Sequence, residues 1–185
     1  MSTQTGTRGV PGPVIGMILF ITSEVMFFGA LFAAYGSTRA RTADWPPAGI
    51  EIDRAIPIAL TVILLTSSVF CHRAVHAARR GDGSGSRRAL LVTIGLGLLF
   101  LGGQALEYSR LGFGLSENAY ATVFYTLTGF HGLHVLIGLV ILGVAMSRTS
   151  RRPEGGQGNV EAASFYWHFV DGIWLLLFAV IYLIQ

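Results

Sequence analysis

The chain has no lysine, a single cysteine and little charge of either sign: thirteen Arg and ten Asp or Glu make up 12% of its 185 residues. A soluble domain carries about 25% charged residues, so half of the usual surface charge is missing. That shortage excludes a freely soluble enzyme and a disordered chain, which need polar surface or high net charge. A formal net charge of +3, thinly spread, also makes no electrostatic footprint for nucleic acid. Cys71 stands alone, which rules out a disulfide within the chain and any Cys-rich metal site. In its apolar setting it reads as a small hydrophobic residue. There is no phosphate-cradling Gly loop, nucleophile elbow or zinc-hydrolase motif.

Apolar sequence fills the space instead. Hydrophobic residues are 52% of the chain and the mean hydropathy is +0.58. Crossing a bilayer takes about 20 residues at 1.5 Å each, and five runs reach that length: about 13–36, 55–76, 89–108, 121–146 and 162–184. The expected fold class is therefore all-α, a bundle of five transmembrane helices in one membrane domain, 1–185. Between the runs lie Trp45-Pro46-Pro47, which cannot continue a helix, a basic stretch Arg79–Arg88 that reads as a flexible turn, and Arg148–Gly158 with Pro153-Glu154-Gly155-Gly156. Nine arginines, among them Arg8, Arg79, Arg80, Arg87, Arg88 and Arg152, fall on the side of the N-terminus, and four (Arg39, Arg41, Arg54 and Arg110) on the other. The positive-inside rule then predicts a cytoplasmic N-terminus and an outside C-terminus. Residues 1–12 hold one Arg and do not read as a transit peptide, and the first run is too long for a signal-peptide core.

The informative residues are the polar ones inside these runs. Glu24 lies near the centre of the first, where an ionisable group costs on the order of 2.5–3.5 kcal/mol. It must be neutral, paired, or facing a hydrated crevice or a partner chain. In Tyr166-Trp167-His168-Phe169-Val170-Asp171-Gly172-Ile173-Trp174, His168 and Asp171 are three apart and share a helix face. Such a pair either shuttles protons or orients a ligand, or else locks two helices together. His131 and His134 are also three apart, which predicts both imidazoles on one side of the fourth helix. A haem or dinuclear metal site needs such residues on facing helices; His168 is the one conceivable partner, and no Glu-x-x-His motif is present. The pattern therefore points to no redox centre or metal site in this chain. Gly129 and Gly132, and Gly95 with Gly102, suggest smooth faces for close helix approach. Glu107, near the outer end of the third run, is expected to reach water or pair with Arg110. His72, Arg73 and His76 cap the inner end of the second, placed to reach lipid head groups. Trp167, Trp174 and Tyr182 read as packing residues or interface anchors.

Four segments carry a resemblance: Phe20-Ile21-Thr22-Ser23-Glu24-Val25-Met26-Phe27-Phe28, Gln104-Ala105-Leu106-Glu107-Tyr108, Phe124 to Val135 with Gly129-Phe130-His131-Gly132-Leu133-His134, and Tyr166 to Trp174 followed by Tyr182. In this order and in these runs they resemble subunit III of the haem–copper cytochrome c oxidases over nearly the whole chain. Longer members of that family have seven helices, and this chain is similar to the last five. The lipid-filled cleft walled by the first two helices is then shallower here, or completed by another subunit. The resemblance implies a non-redox accessory subunit beside catalytic subunit I, with subunit II and other oxidase subunits nearby. Haem and copper would sit in those partners, none in this chain, and the complex would reduce oxygen to water with proton pumping. It also implies bound phospholipid, support of proton uptake, and a place in the respiratory chain compatible with a larger supercomplex. Glu24 matches the family's buried Ser-Glu carboxylate, while His131, His134, Trp167, His168 and Asp171 match motif positions. The Lys-free composition and short form suggest a bacterial inner membrane. Competing readings are the corresponding subunit of a quinol oxidase or of a nitric oxide reductase, a self-contained proton or solute transporter, and a haem-binding electron carrier. Against the transporter, no inverted repeat or unwound midplane segment is visible.

Overall fold

The computed structural model describes residues 12–47, 54–151 and 157–184. Arg8, the segment 48–53 and the turn with Arg152 and residues 153–156, used above for orientation and connections, lie outside the described residues. Each apolar run becomes a helix: α1 Gly12–Arg41, α2 Ala55–Arg79, α3 Gly83–Arg110, α4 Ala119–Arg151 and α5 Gln157–Phe178, the last continued by a π-helical turn, Ala179–Leu183. All five are long and apolar enough to cross a membrane, and no strand occurs among the described residues. The architecture is an all-α membrane bundle.

The helices outrun the apolar sequence. The 30 residues of α1 span about 45 Å at 1.5 Å per residue, against a hydrocarbon core of about 30 Å, so its Arg39 and Arg41 end reaches past the core. The sharpest departure from the sequence reading is the basic stretch Arg79–Arg88. Only Arg80, Gly81 and Asp82 separate α2 from α3, and what looked like a flexible turn is a tight helical hairpin. Gly81 takes φ +75°, the left-handed conformation that ends helices with little strain only for glycine. Asp82 then caps α3, its Oδ1 accepting from the Gly85 N–H at 2.8 Å and the Ser84 hydroxyl at 2.9 Å. These two donors, the Gly85 N–H first, hold the exposed Asp82 carboxyl below the usual carboxylate range. Gly83 and Gly85 misled because glycine count signals flexibility, yet both sit in the first helical turn. Similarly, α5 begins five residues before the apolar run does, which brings Glu161 onto the helix to pair with Arg79 of α2 at 2.8 Å.

Lipid tails are as apolar as leucine, so helices in a bilayer associate through close packing and interhelical hydrogen bonds. Helix α5 is the hub, packed against α1, α2 and α4, while α2 pairs with α3, α3 with α4, and α1 with α4 and α5. Trp167 of α5 is fully buried in a slot between Gly97 of α3 and Gly138 of α4. A Cβ at Gly97 would lie 2.6 Å from its ring, and one at Gly138 3.0 Å. Gly103 admits Leu60 in the same way. The expected smooth face of Gly95 and Gly102 is not used, for neither has a neighbour within 4 Å of a built Cβ, and Gly129 and Gly132 make only ordinary contacts. Spacing identifies a row of glycines; the opposing aromatic side chain decides which row is needed.

Tyr166, Trp167 and Trp174 of α5 are fully buried packing residues. Trp167 donates from Nε1 to Ser67 Oγ at 2.9 Å and Trp174 to Thr61 Oγ1 at 2.9 Å, both across to α2. Tyr166 donates to the His134 carbonyl at 3.2 Å. Each buried ring thus has its polar atom satisfied. By contrast α1 presents a bare outer face, with Leu19 68% and Met26 75% exposed.

Candidate functional site

Three polar links cross the bundle interior. The first joins α1 to α4. Glu24 Oε2 lies 2.8 Å from His134 Nε2, with the two side chains 17% and 9% exposed. The other imidazole nitrogen, Nδ1, is 2.7 Å from the Phe130 carbonyl oxygen. A carbonyl only accepts, so Nδ1 carries a hydrogen. The contact with Glu24 then holds one proton, either on the carboxyl of a neutral pair or on the ring of an ion pair. In both states the net charge is zero, which is how a mid-membrane acid is accommodated. Phe28 sets its edge against the His134 ring at 4.8 Å and Phe27 stacks on it at 5.9 Å, so the Ser-Glu segment of α1 clasps this imidazole.

His131, three residues before, does not join it. It is 1% exposed, its ring turned towards α3 and α5, tilted against Trp174 at 5.2 Å and edge-on to Phe100 at 5.8 Å. Neither ring nitrogen has a hydrogen-bond partner among the described residues. Three helical residues turn through 300°, leaving about 60° between His131 and His134, so the two share a broad side of α4 while their rings meet different neighbours.

The second link is built on His168 and Asp171, which do share a face of α5. Their nearest approach, Nδ1 to Oδ2, is 3.8 Å, too long for a hydrogen bond. Ser68 of α2 bridges them. Its hydroxyl donates to Asp171 Oδ2 and, having one hydrogen, accepts from His168 Nδ1 at 2.8 Å. The arrangement is a His–Ser–Asp chain running from a 41% exposed imidazole to a 6% exposed carboxylate. Ser68, a residue the sequence reading missed, thus joins a pair whose charged ends also lie within ion-pair distance. The available signal was the pair Ser67-Ser68 inside an apolar run: Ser67 takes the Trp167 N–H and Ser68 the His168 N–H. Cys71 is fully buried on the same helix.

The third link ties α3 to the end of α5. Glu107 lies in the last turn of α3 but is 4% exposed, so it turns away from water. Tyr182 donates to its Oε1 at 2.9 Å and Gln104 Nε2 to its Oε2 at 3.0 Å. The π-helical turn carries Tyr182, and no residue pattern announced it. At the Arg-rich end of α2, His72, Arg73 and His76 are exposed. The two imidazoles meet at 2.9 Å between Nε2 atoms, and the Arg73 guanidinium lies 5.4 Å from the Phe70 ring centroid. Among the described residues no three His, Cys, Asp or Glu side chains converge as a metal site would require. The three links tie α1 to α4, α2 to α5 and α3 to the end of α5.

Comparison with known sequences gives a consistent result. Residues 3–185 match the profile of the family described as cytochrome c oxidase subunit III. The chain is 45% identical over 178 residues to cytochrome c oxidase subunit 3 of Thermostichus vulcanus, covering 92% of this chain and 87% of that one. It is 42% identical to the probable cytochrome c oxidase subunit 3 of Mycobacterium tuberculosis strain H37Rv, with the same coverage. It is also 42% identical to cytochrome c oxidase subunit 3 of Lumbricus terrestris, over 90% of this chain and 68% of that protein.

Proposed function

The chain belongs to the cytochrome c oxidase subunit III family, and on that premise we propose that it docks beside the haem- and copper-bearing catalytic subunit I of an oxidase fed by cytochrome c. It is an accessory subunit of a terminal oxidase and a multi-pass membrane protein. In this reading it stabilises subunit I, supports proton uptake into it and holds phospholipid at its flank, with subunit II as a further neighbour. Its N-terminus faces the cytoplasm of a bacterium and the chain lies in the inner membrane, as the arginine distribution favours.

The observation that carries this reading is the Glu24–His134 link. It pins α1 to the bundle through one net-neutral, one-proton contact, while the outer face of that helix stays apolar and uncovered. A mid-membrane acid used in this way serves the placement of a helix that a neighbour can lean on. It leaves electron transfer to the partner subunits.

The test is co-purification. The full chain, tagged and extracted in mild detergent from its own membranes, is expected to bring down a large haem-bearing subunit and oxygen consumption with reduced cytochrome c. Recovery of the chain alone, coloured by its own prosthetic group, would overturn the reading. So would pH-driven flux through the isolated chain in liposomes, since that is the signature of a transporter.

A further inference from the structure

Of the three interior links, the chain His168–Ser68–Asp171 is the one that opens outward. Asp171 is buried and Ser68 half-buried, whereas the His168 side chain is 41% exposed. Ser68 engages its Nδ1, and its Nε2 has no partner among the described residues. The depth of that nitrogen decides what can cover it. The apolar helix Gln157–Leu183 has 27 residues, about 40 Å at 1.5 Å each. A hydrocarbon core of about 30 Å leaves about 5 Å of it outside at either end. His168 stands eleven residues in, about 16 Å along the axis and so about 11 Å inside the core. A lipid tail there neither donates nor accepts, and an unpaired polar group in hydrocarbon costs several kcal/mol. The surface beside it is shaped for a helix. Gly172, one turn along α5 on the side of His168, is exposed with nothing within 4 Å of a built Cβ. Phe165 and Val69 nearby are also exposed. Open space at a glycine next to a polar side chain lets a second helix approach closely enough to hydrogen-bond, which is how membrane helices associate.

We infer that the α2–α5 seam at His168 and Gly172 is a docking face for a membrane-spanning helix of another subunit, which lies over Gly172 and offers a hydroxyl or carboxamide side chain to His168 Nε2. The protons of the chain set that chemistry. Nδ1 carries a hydrogen because Ser68 gives its own to Asp171. Net neutrality then allows a carboxylic acid with a neutral imidazole, whose Nε2 accepts, or a carboxylate with an imidazolium, whose Nε2–H donates. A hydroxyl or a carboxamide meets both states, and a charged group only one. A second copy of this chain does not fit: a two-fold axis on this face would set Nε2 against Nε2 in the same state, two donors or two acceptors. The inference rests on the reading of the chain as one subunit of a membrane complex, and it adds a second face to the outer face of α1.

The test places a photo-reactive benzophenone side chain at position 165 of the full chain, irradiated in its own membranes before extraction, with the same group at position 99 of α3 as reference. Position 165 is expected to capture a peptide from a membrane-spanning segment of another subunit, one carrying Ser, Thr, Tyr, Asn or Gln within a turn of the link. Position 99 should not yield that peptide. Gly172→Leu fills the open space and meets nothing within the chain, so the variant should reach the membrane at the wild-type level. It should nevertheless retain the captured subunit about three- to twenty-fold less tightly, the range of one interhelical hydrogen bond. His168→Leu, which suits a lipid-covered surface, should lose retention likewise, whereas Gly95→Leu, in open space on α3, should not. Capture of lipid alone, of a soluble loop or of a second copy, or no capture at all, would refute the docking face. So would unchanged retention in Gly172→Leu or an equal loss in Gly95→Leu. Capture of the expected helix from a complex without haem would strike at the proposed function and leave this inference standing. Failed capture in a complex that consumes oxygen with reduced cytochrome c would do the reverse.

Discussion

Replacing Glu24 by Gln is expected to preserve the link between α1 and α4, whereas Glu24→Ala is expected to break it. The reason lies in the other side of the His134 ring. Because Nδ1 donates to the Phe130 carbonyl at 2.7 Å, a neutral imidazole offers Nε2 as an acceptor. A glutamine amide has the shape of the carboxyl and an N–H to donate to that nitrogen, 2.8 Å away in the wild type. One interhelical hydrogen bond then replaces another, and such bonds in membranes average about 0.6 kcal/mol, so the cost should stay below about 1 kcal/mol. Alanine removes the partner and leaves Nε2 in a 9% exposed side chain without an acceptor or donor. An unsatisfied buried polar atom costs about 1–3 kcal/mol. His134→Ala strands Glu24 in the same way, and the double variant should lose less than the sum of the two. The expected coupling is at least about 0.5 kcal/mol. The assay is denaturant-driven unfolding of the reconstituted full chain, followed by the separation of fluorophores on α1 and α4. Glu24→Gln matching Glu24→Ala in cost, or strictly additive losses in the double variant, would refute the one-proton link.

The remaining expectations concern the other contacts between helices. Ser68→Ala removes the bridge between His168 and Asp171 and should destabilise by about 1–3 kcal/mol; His168→Ala and Asp171→Ala should be non-additive only while Ser68 is present, as unfolding curves of the set will show. Gly138→Leu drives a side chain into the Trp167 ring and should cost about 1–3 kcal/mol by overpacking, whereas Gly95→Ala, with open space around it, should be neutral or stabilising by up to about 1 kcal/mol. Tyr182→Phe removes the donor to Glu107 Oε1 and should loosen the α3–α5 contact by about 1–3 kcal/mol, measured as faster hydrogen exchange in the final turn of α5. The Asp82 carboxyl is lowered in the folded state, so its cap contributes fully above the ordinary carboxylate value and is lost as pH falls through the lowered one. The Gly85 amide resonance should report that transition in wild type and stay flat in Asp82→Asn.

The sequence by itself determined the fold class and the subunit family. Five runs of apolar residues long enough to span a bilayer leave the backbone one way to satisfy its hydrogen bonds in hydrocarbon, which is to become helix. The motif segments around Glu24, Glu107, His131 and Trp167 stand in the order of the family, and the comparisons agree with that reading. Glu24, His134, His168 and Asp171 were visible individually because a polar group at that depth is costly wherever it points. Which of them meet was decided only by the tertiary structure. Helix rotation and tilt are set by packing against neighbours, and period alone does not encode them. That is why His131 and His134 part company, why a serine from α2 stands between His168 and Asp171, and why Gly97 and Gly138, not Gly95 and Gly102, make room for a tryptophan. Glu107 is the clearest case: three residues from Arg110 in the chain, it is drawn inward because a tyrosine 75 residues away supplies a buried donor.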